Sequence, residues 1–246
     1  MCEKMMPEVS DLYEVVDHTW PANRKISRVH WTLSQEPDGE KRVTAATSRV
    51  KKDIPDICVA EKGMFELDQN PLFMIREGDN KLDQILDEGA YKVIDAVNIY
   101  CISCEELSHP APPMLSAFDI WEPLEIQKDI WAQHGTDRNR FAIMERAECI
   151  KTSLLMRCES HPAGAAYIGI YNGIAMVHAL EILPSQRRKG VGAIALRQAA
   201  IWAIAQNAPF ISGICTKENK AANALYASLK MRLMGGYNYR IKEETI

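Results

Sequence analysis

The chain has 246 residues, 47% of them hydrophobic and 25% charged, the composition of a globular protein of one large domain or two small ones. Lys+Arg 29 against Asp+Glu 33 gives a formal charge of −4, too mild and of the wrong sign for a general binder of nucleic-acid backbones. No apolar run reaches the length of a membrane span, and Glu3, Lys4 and Glu8 stand where a secretory signal would be apolar, so a cytoplasmic protein with neither nucleic-acid nor membrane partners is expected. Seven cysteines, an odd number in a long chain, read as reduced and mostly buried thiols. Cys101 and Cys104 form a lone C-x-x-C at the end of the apolar alternation Val97–Ile102; with no second ligand pair they read as core, and no metal is expected.

Along the chain, strand and helix signals alternate, which predicts an α/β class with a mixed sheet. Asp11–Asp17 reads as a helix, Arg42–Ala46 as a strand and Ile54–Leu67 as a helix; Leu72–Arg76, Lys81–Asp87 and Tyr91–Ile102 then give strand, helix, strand. The proline cluster His109–Pro113 reads as a linker between domains over 1–107 and 110–246. Beyond it, Leu124–His134 and Arg138–Ala147 are helical, and strands near 151–157, 164–171 and 174–183 turn at His161-Pro162 and Asn172-Gly173. A helix over 190–206, apolar around most of its circumference, is predicted to be buried between other elements. Phe210–Cys215 (strand), Lys220–Leu229 (helix) and Tyr237–Ile241 (strand) complete the chain.

A shift of 140 residues lays Leu72–Asp95 on Ser212–Gly235 without a gap, Asp79 falling on Asn219 and Leu86 on Tyr226. The packing positions agree and the polar ones do not. That is the pattern of a decayed half-repeat, although any strand–helix–strand unit aligns in this way.

The most informative segment, Ile182-Leu183-Pro184-Ser185-Gln186-Arg187-Arg188-Lys189-Gly190-Val191-Gly192-Ala193, lies where a strand gives way to a helix. Two glycines at G-x-G spacing permit a tight turn and a close approach to a ligand. The unpaired first-turn N–H groups and the helix dipole attract an anion, and Arg187, Arg188 and Lys189 add positive charge. A solvated basic loop capping a helix would share these features.

Downstream, Asn219-Lys220-Ala221-Ala222-Asn223-Ala224-Leu225-Tyr226-Ala227-Ser228-Leu229 forms N-x-x-A-x-x-L-Y-x-x-L. In this order and separation the two segments resemble the acyl-CoA loop and the pantetheine-side helix of the GNAT superfamily of acyl-CoA-dependent N-acetyltransferases, a resemblance covering about 110–246. Lys230-Met231 departs from the family's usual Gly-Phe, and Arg187 from its usual Gln. The resemblance implies a GNAT fold whose fourth and fifth strands, here Ile174–Leu183 and Phe210–Cys215, splay around acetyl-CoA, which serves as co-substrate. It implies cofactor contacts from Ile182 and Leu183 at the strand end, from Arg187, Arg188, Lys189, Gly190, Val191, Gly192 and Ala193 around the pyrophosphate, and from Asn219 and Ala222 along the pantetheine. The half before the linker lacks the loop and has Leu86 where Tyr226 stands, so it reads as a degenerate GNAT-like domain that shapes the acceptor site.

Acyl transfer needs a neutral amine, a stabilised oxyanion and a proton for the departing thiolate. By the resemblance Tyr226 is the general acid, while periodicity alone puts it in the apolar stripe Ala222, Leu225, Tyr226, Leu229. His178, in a stretch similar to arylalkylamine N-acetyltransferases with Met176 in place of a first histidine, is either the base or a hydrogen-bonded core residue. A strand period of two places His178 and Ile182 on one face and Glu181, a weaker base candidate, on the other. Trp20, Trp121, Glu122, Trp131, Tyr237 and Tyr239 either wall the acceptor pocket or pack between elements. The expected activity is acetyl transfer from acetyl-CoA to a primary amine of a small molecule or peptide, by direct attack in a ternary complex; a homodimer is compatible with it. The alternative is a non-catalytic acyl-CoA sensor or partner-binding protein on the same fold.

Overall fold

The structure, a computed structural model, describes residues 5–36, 39–50, 55–133 and 138–242. The chain opens with α1 (Val9–Thr19), the hairpin β1 (Arg24–Arg28) and β2 (Trp31–Gln35), α2 (Lys41–Thr44), β3 (Ala46–Ser48) and α3 (Ile57–Phe65). Next come β4 (Leu72–Arg76), α4 (Asn80–Glu88), β5 (Lys92–Ser103), α5 (Cys104–Leu107), β6 (Ala117–Ile120), α6 (Glu125–Ala132) and α7 (Arg138–Arg146). The last stretch holds β7 (Ile150–Cys158), β8 (His161–Tyr171), β9 (Ile174–Ile182), α8 (Val191–Ala205), β10 (Phe210–Thr216), α9 (Lys220–Ser228) and β11 (Arg232–Ile241).

Two compact units result, and they do not divide at the proline cluster. The first takes in the residues up to Trp20, Ile99–Cys215 and Asn219–Met234; the second takes in Pro21–Asn98, Thr216–Glu218 and the chain from Gly235. Residues 109–113 thus lie inside the first unit, and α1 belongs to it too. β5 and β11 each pass from one unit into the other.

In the first unit the strand order is β5-β10-β9-β8-β7-β6, antiparallel from β9 to β6 and parallel between β9 and β10. One sheet face carries α8 and α9 on a core of Leu154, Ile168, Ile170, Ala175, Val177 and Ile211. The buried face of α8 is Val191, Ala195, Leu196, Ala199, Ala200 and Ala203, all small or compact side chains that let the helix lie close to the strands. The opposite side of α8 is not enclosed, since Ile204 is exposed, so the expectation of a helix buried all round is corrected. Asn172 and Gly173, both at positive φ, turn β8 into β9 as expected; Glu159 and Ser160, also at positive φ, make the β7–β8 turn, two residues ahead of His161-Pro162.

In the second unit the order is β1-β2-β3-β4-β11-β5, around a core of Trp31, Leu33, Phe73, Leu86 and Tyr91. The expected strand over 42–46 is a one-turn helix ending at Thr44, followed by β3. The expected start of α3, Ile54, lies outside the described residues, as does His134 at the expected end of α6.

The 140-residue shift is kept in the backbone. α4 (80–88) maps onto α9 (220–228), and β5 and β11 start at 92 and 232. Ala90 and Lys230 take φ of 64° and 59°, and the bonds Tyr91 N→Leu86 O (2.9 Å) and Met231 N→Tyr226 O (3.0 Å) are the same helix stop.

Candidate active site

The site is built where two strands part. The parallel pairing of β9 with β10 runs from Ile174–Phe210 to Val177–Gly213 and ends there, although both strands continue. Just beyond, β9 carries one extra residue against β8, because Tyr167 pairs with His178 but Ala165 pairs with Glu181. Ala179 takes φ of 47° in this bulge, and its carbonyl accepts a 2.7 Å bond from the buried indole Nε1 of Trp131 on α6. The bulge reverses the alternation. Ala175 and Val177 face the α8 side, and after the extra residue Leu180 and Ile182 face it too. His178 and Ile182 therefore stand on opposite faces, correcting the period-of-two reading, and Glu181 shares the face of His178.

Tyr226 is fixed on the α8 side at the point of divergence. It is buried in the core of the first unit, and a Cβ on Gly213 would lie 2.8 Å from its phenolic oxygen. Glycine at 213 is what lets the ring reach the last paired residue of β10. The ring packs 5.0 Å from that of Tyr100, whose hydroxyl donates to Asn223 Oδ1 at 2.8 Å. Burial pushes the Tyr226 phenol well above its ordinary range, with the nearby Cys215 and Tyr100 adding to the effect. It is a neutral O–H at physiological pH, the form an acid must have. Burial also pushes the Cys215 thiol up to about 11.

The basic loop lies between β9 and α8. Gly190 caps α8 at φ of 80°, with open space where a Cβ would stand, so it is required for its backbone angle. Gly192 is needed for space instead, since a Cβ there would come 2.8 Å from Leu225 Cδ2, and it is the contact point of α8 with α9. Helix geometry leaves the N–H groups of Val191, Gly192 and Ala193 without intrahelical acceptors, and no acidic residue occupies the first turn. Arg187 Nε donates to the Ile182 carbonyl at 3.0 Å, and Lys189 Nζ donates to Glu159 Oε2 at 2.8 Å and Gln186 Oε1 at 3.2 Å. Asn219 is the N-cap of α9, its Oδ1 accepting from Ala222 N at 3.0 Å, and Ala222 packs at the edge of the core.

The profile of the Acetyltransferase (GNAT) family matches residues 115–231, which contain the divergent strands, the loop and Tyr226. Residues 115–231 are a GNAT acetyltransferase domain. No curated protein sequence matches the chain significantly. Among solved structures, a GCN5-related N-acetyltransferase from Kribbella flavida superposes with a TM-score of 0.73 at 16% identity, covering 97% of this chain and 96% of the other. A conserved protein of unknown function from Staphylococcus epidermidis ATCC 12228 gives 0.66 at 11% identity, with coverages of 89% and 94%. A tandem GNAT protein from the clavulanic acid biosynthesis pathway gives 0.54 at 11%, with coverages of 75% and 67%. The fold is thus the GNAT fold in a two-half arrangement.

On the other face of the GNAT sheet, opposite Tyr226, lies a buried polar and aromatic cluster. His178 Nε2 is 2.8 Å from Thr19 Oγ1, and its ring lies 4.9 Å from Trp20 and 6.0 Å from Tyr167. The Tyr167 phenol is fully buried, with the Cys149 thiol as its polar neighbour, and burial pushes it far above its ordinary range. Trp121, partly exposed, packs 6.1 Å from Tyr167 and carries Lys151 Nζ 4.8 Å above its own ring. Of the aromatic candidates, Trp131 is spent on the bulge, and Tyr237 and Tyr239 lie in the second unit, buried beside Arg42. Glu122 is exposed next to Trp121. Sequence reasoning misses Thr19, Tyr100, Gly213 and the bulge.

Proposed function

We propose that the first unit is an acetyl-CoA-dependent N-acetyltransferase acting on a primary amine. What supports this most is the end of the β9–β10 pairing at Val177 and Gly213, with the Tyr226 phenol held against Gly213. Strands that part while continuing leave main-chain groups free to pair with an extended, amide-bearing arm, as an added strand would. The α8 N-terminus, with Arg188 and Lys189 beside it, is suited to the pyrophosphate at the far end of that arm. Ile182 already accepts from Arg187, but a carbonyl has a second lone pair for an amide N–H.

The proposed chemistry is direct attack. The amine nitrogen bonds to the thioester carbonyl carbon, the C–S bond breaks, and the thiolate takes the Tyr226 proton. His178, on the opposite face, takes the proton the amine loses. Tyr226 and His178 lie on opposite faces of the sheet where the strands part, so the acid would serve the departing sulfur and the base the attacking amine without competing for one proton.

The test is free-thiol release from acetyl-CoA across a panel of tryptamine, spermidine and a lysine-containing peptide. Amine-dependent release with one acetylated product per thiol is expected. Tight acetyl-CoA binding with no release from any amine would instead favour an acyl-CoA sensor on the same fold.

A further inference from the structure

Strand β5 lies ahead of the matched GNAT segment, yet its end is built into the sheet of the first unit, beside β10. Ser212 Oγ on β10 donates to the Tyr100 carbonyl at 2.7 Å. Just past the end of β5, Cys104 N donates to the Pro209 carbonyl at 2.8 Å. The strand so fixed brings Tyr100 into the same core as Tyr226, where the two rings lie 5.0 Å apart at 32°.

The Tyr100 hydroxyl also ties this strand to α9. Asn223 Nδ2 donates to the Asn219 carbonyl at 2.8 Å, and a carbonyl can only accept, so the amide is oriented with Oδ1 toward Tyr100. The hydroxyl therefore donates, at 2.8 Å, to a residue one helical turn before Tyr226. Tyr226 is thus held by its close approach to Gly213, by the Tyr100 ring, and by the helix that the Tyr100 hydroxyl clamps.

The second unit contains the same clamp made of charges. The shift of 140 residues lays Tyr100 on Arg240 and Asn223 on Asp83, and Arg240 Nε donates to Asp83 Oδ1 at 2.8 Å. Where the helix carries Leu86 the pair is ionic, and where it carries Tyr226 the pair is neutral. A guanidinium against the phenol would favour the phenolate, which has no proton to give. The neutral pair clamps the helix without that effect.

We propose that Tyr100 is a positioning residue: by its ring and its bond to Asn223 it holds the Tyr226 phenol in place to protonate the departing thiolate. This rests on Tyr226 being the acid of the proposed acetyl transfer. By this inference the first half of the sequence serves the acid through its last strand, which lies outside the family's own segment.

The experiment is a mutant cycle on the full chain, with Tyr100→Phe, Tyr226→Phe and the two together. It reads kcat and KM on the most active amine of the panel, with acetyl-CoA affinity by calorimetry. Tyr100→Phe keeps the ring and loses the bond. Its kcat is expected to fall by about 10-fold, part of the 10²–10⁴ an acid supplies, with acetyl-CoA affinity nearly unchanged. In the Tyr226→Phe background the same substitution should cost nothing further, because the group it positions is gone. Asn223→Ala breaks the same bond from the helix side, so its kcat should fall similarly, and it carries the test alone should Tyr100→Phe not fold. Unchanged kcat in these variants would overturn the proposal. So would a fall that persists at full size in the Tyr226→Phe background, which would show that Tyr100 only supports the strand. Full turnover in Tyr226→Phe alone would instead overturn Tyr226 as the acid, so the two failures are told apart.

Discussion

Tyr226 shows why a residue's place matters more than its type. In sequence it is one position of an apolar stripe, and in the structure it is indeed core, yet its oxygen reaches the last paired residue of β10 because residue 213 has no side chain. Gly213→Ala would place a methyl 2.8–2.9 Å from the phenol oxygen and ring carbons, and the ring would have to move. Turnover is expected to drop by about 10²-fold, the scale of a small misplacement at a reacting centre, with acetyl-CoA affinity nearly unchanged. Unaltered turnover in a folded Gly213→Ala variant would mean that the phenol does no chemistry there. Tyr226 is readable in the sequence because the helix around it carries a family pattern. Thr19 is not, since it meets His178 across 159 residues and nothing in its neighbourhood marks it.

At the scale of elements, the loop and the helices beside it are legible because glycines, arginines and periodicity all point one way. The bulge is not, because its positive-φ residue is Ala179 and not a glycine, and a single extra residue reverses every face downstream. The one-turn α2 reads as a strand because four residues are too few to show a helical period, and Val43-Thr44 are β-branched. β1 leaves no signal because Arg24–Arg28 is largely exposed and has no apolar alternation. The loop's two glycines serve different ends, which separates their variants. Gly190→Ala costs only backbone strain, roughly 1–2 kcal/mol, and should weaken acetyl-CoA binding by no more than about 10-fold if that strain is partly relieved in the free protein. Gly190→Asp adds a negative charge beside the helix N-terminus and should abolish binding. Calorimetry on both, with wild type binding one acetyl-CoA per chain, tests the assignment; full affinity in Gly190→Asp would refute it.

For the whole molecule, burial leaves a record in its pH stability. Tyr91, Tyr167, Tyr226 and Tyr239 are all raised by desolvation, and the Cys101 and Cys104 thiols are pushed up to about 12. Above the unfolded values, about 8.5 for thiols and about 10 for phenols, the native state holds protons that the unfolded chain has released. Stability must then fall as pH rises through that window, and it is fully present below it. Melting temperature under reducing conditions should hold to about pH 8 and decline steadily from there to pH 11; a flat profile would show that these groups are open to water. The half-repeat makes a further demand at this scale. The second unit keeps the helix stop of the first but carries Leu86 where Tyr226 stands, so the chain should have one working site. Removing a single oxygen atom should therefore silence the protein, and Tyr226→Phe is the most direct measurement. Turnover is expected to fall by about 10²-fold or more with acetyl-CoA affinity unchanged. Full turnover in Tyr226→Phe, on a verified amine, would contradict the account.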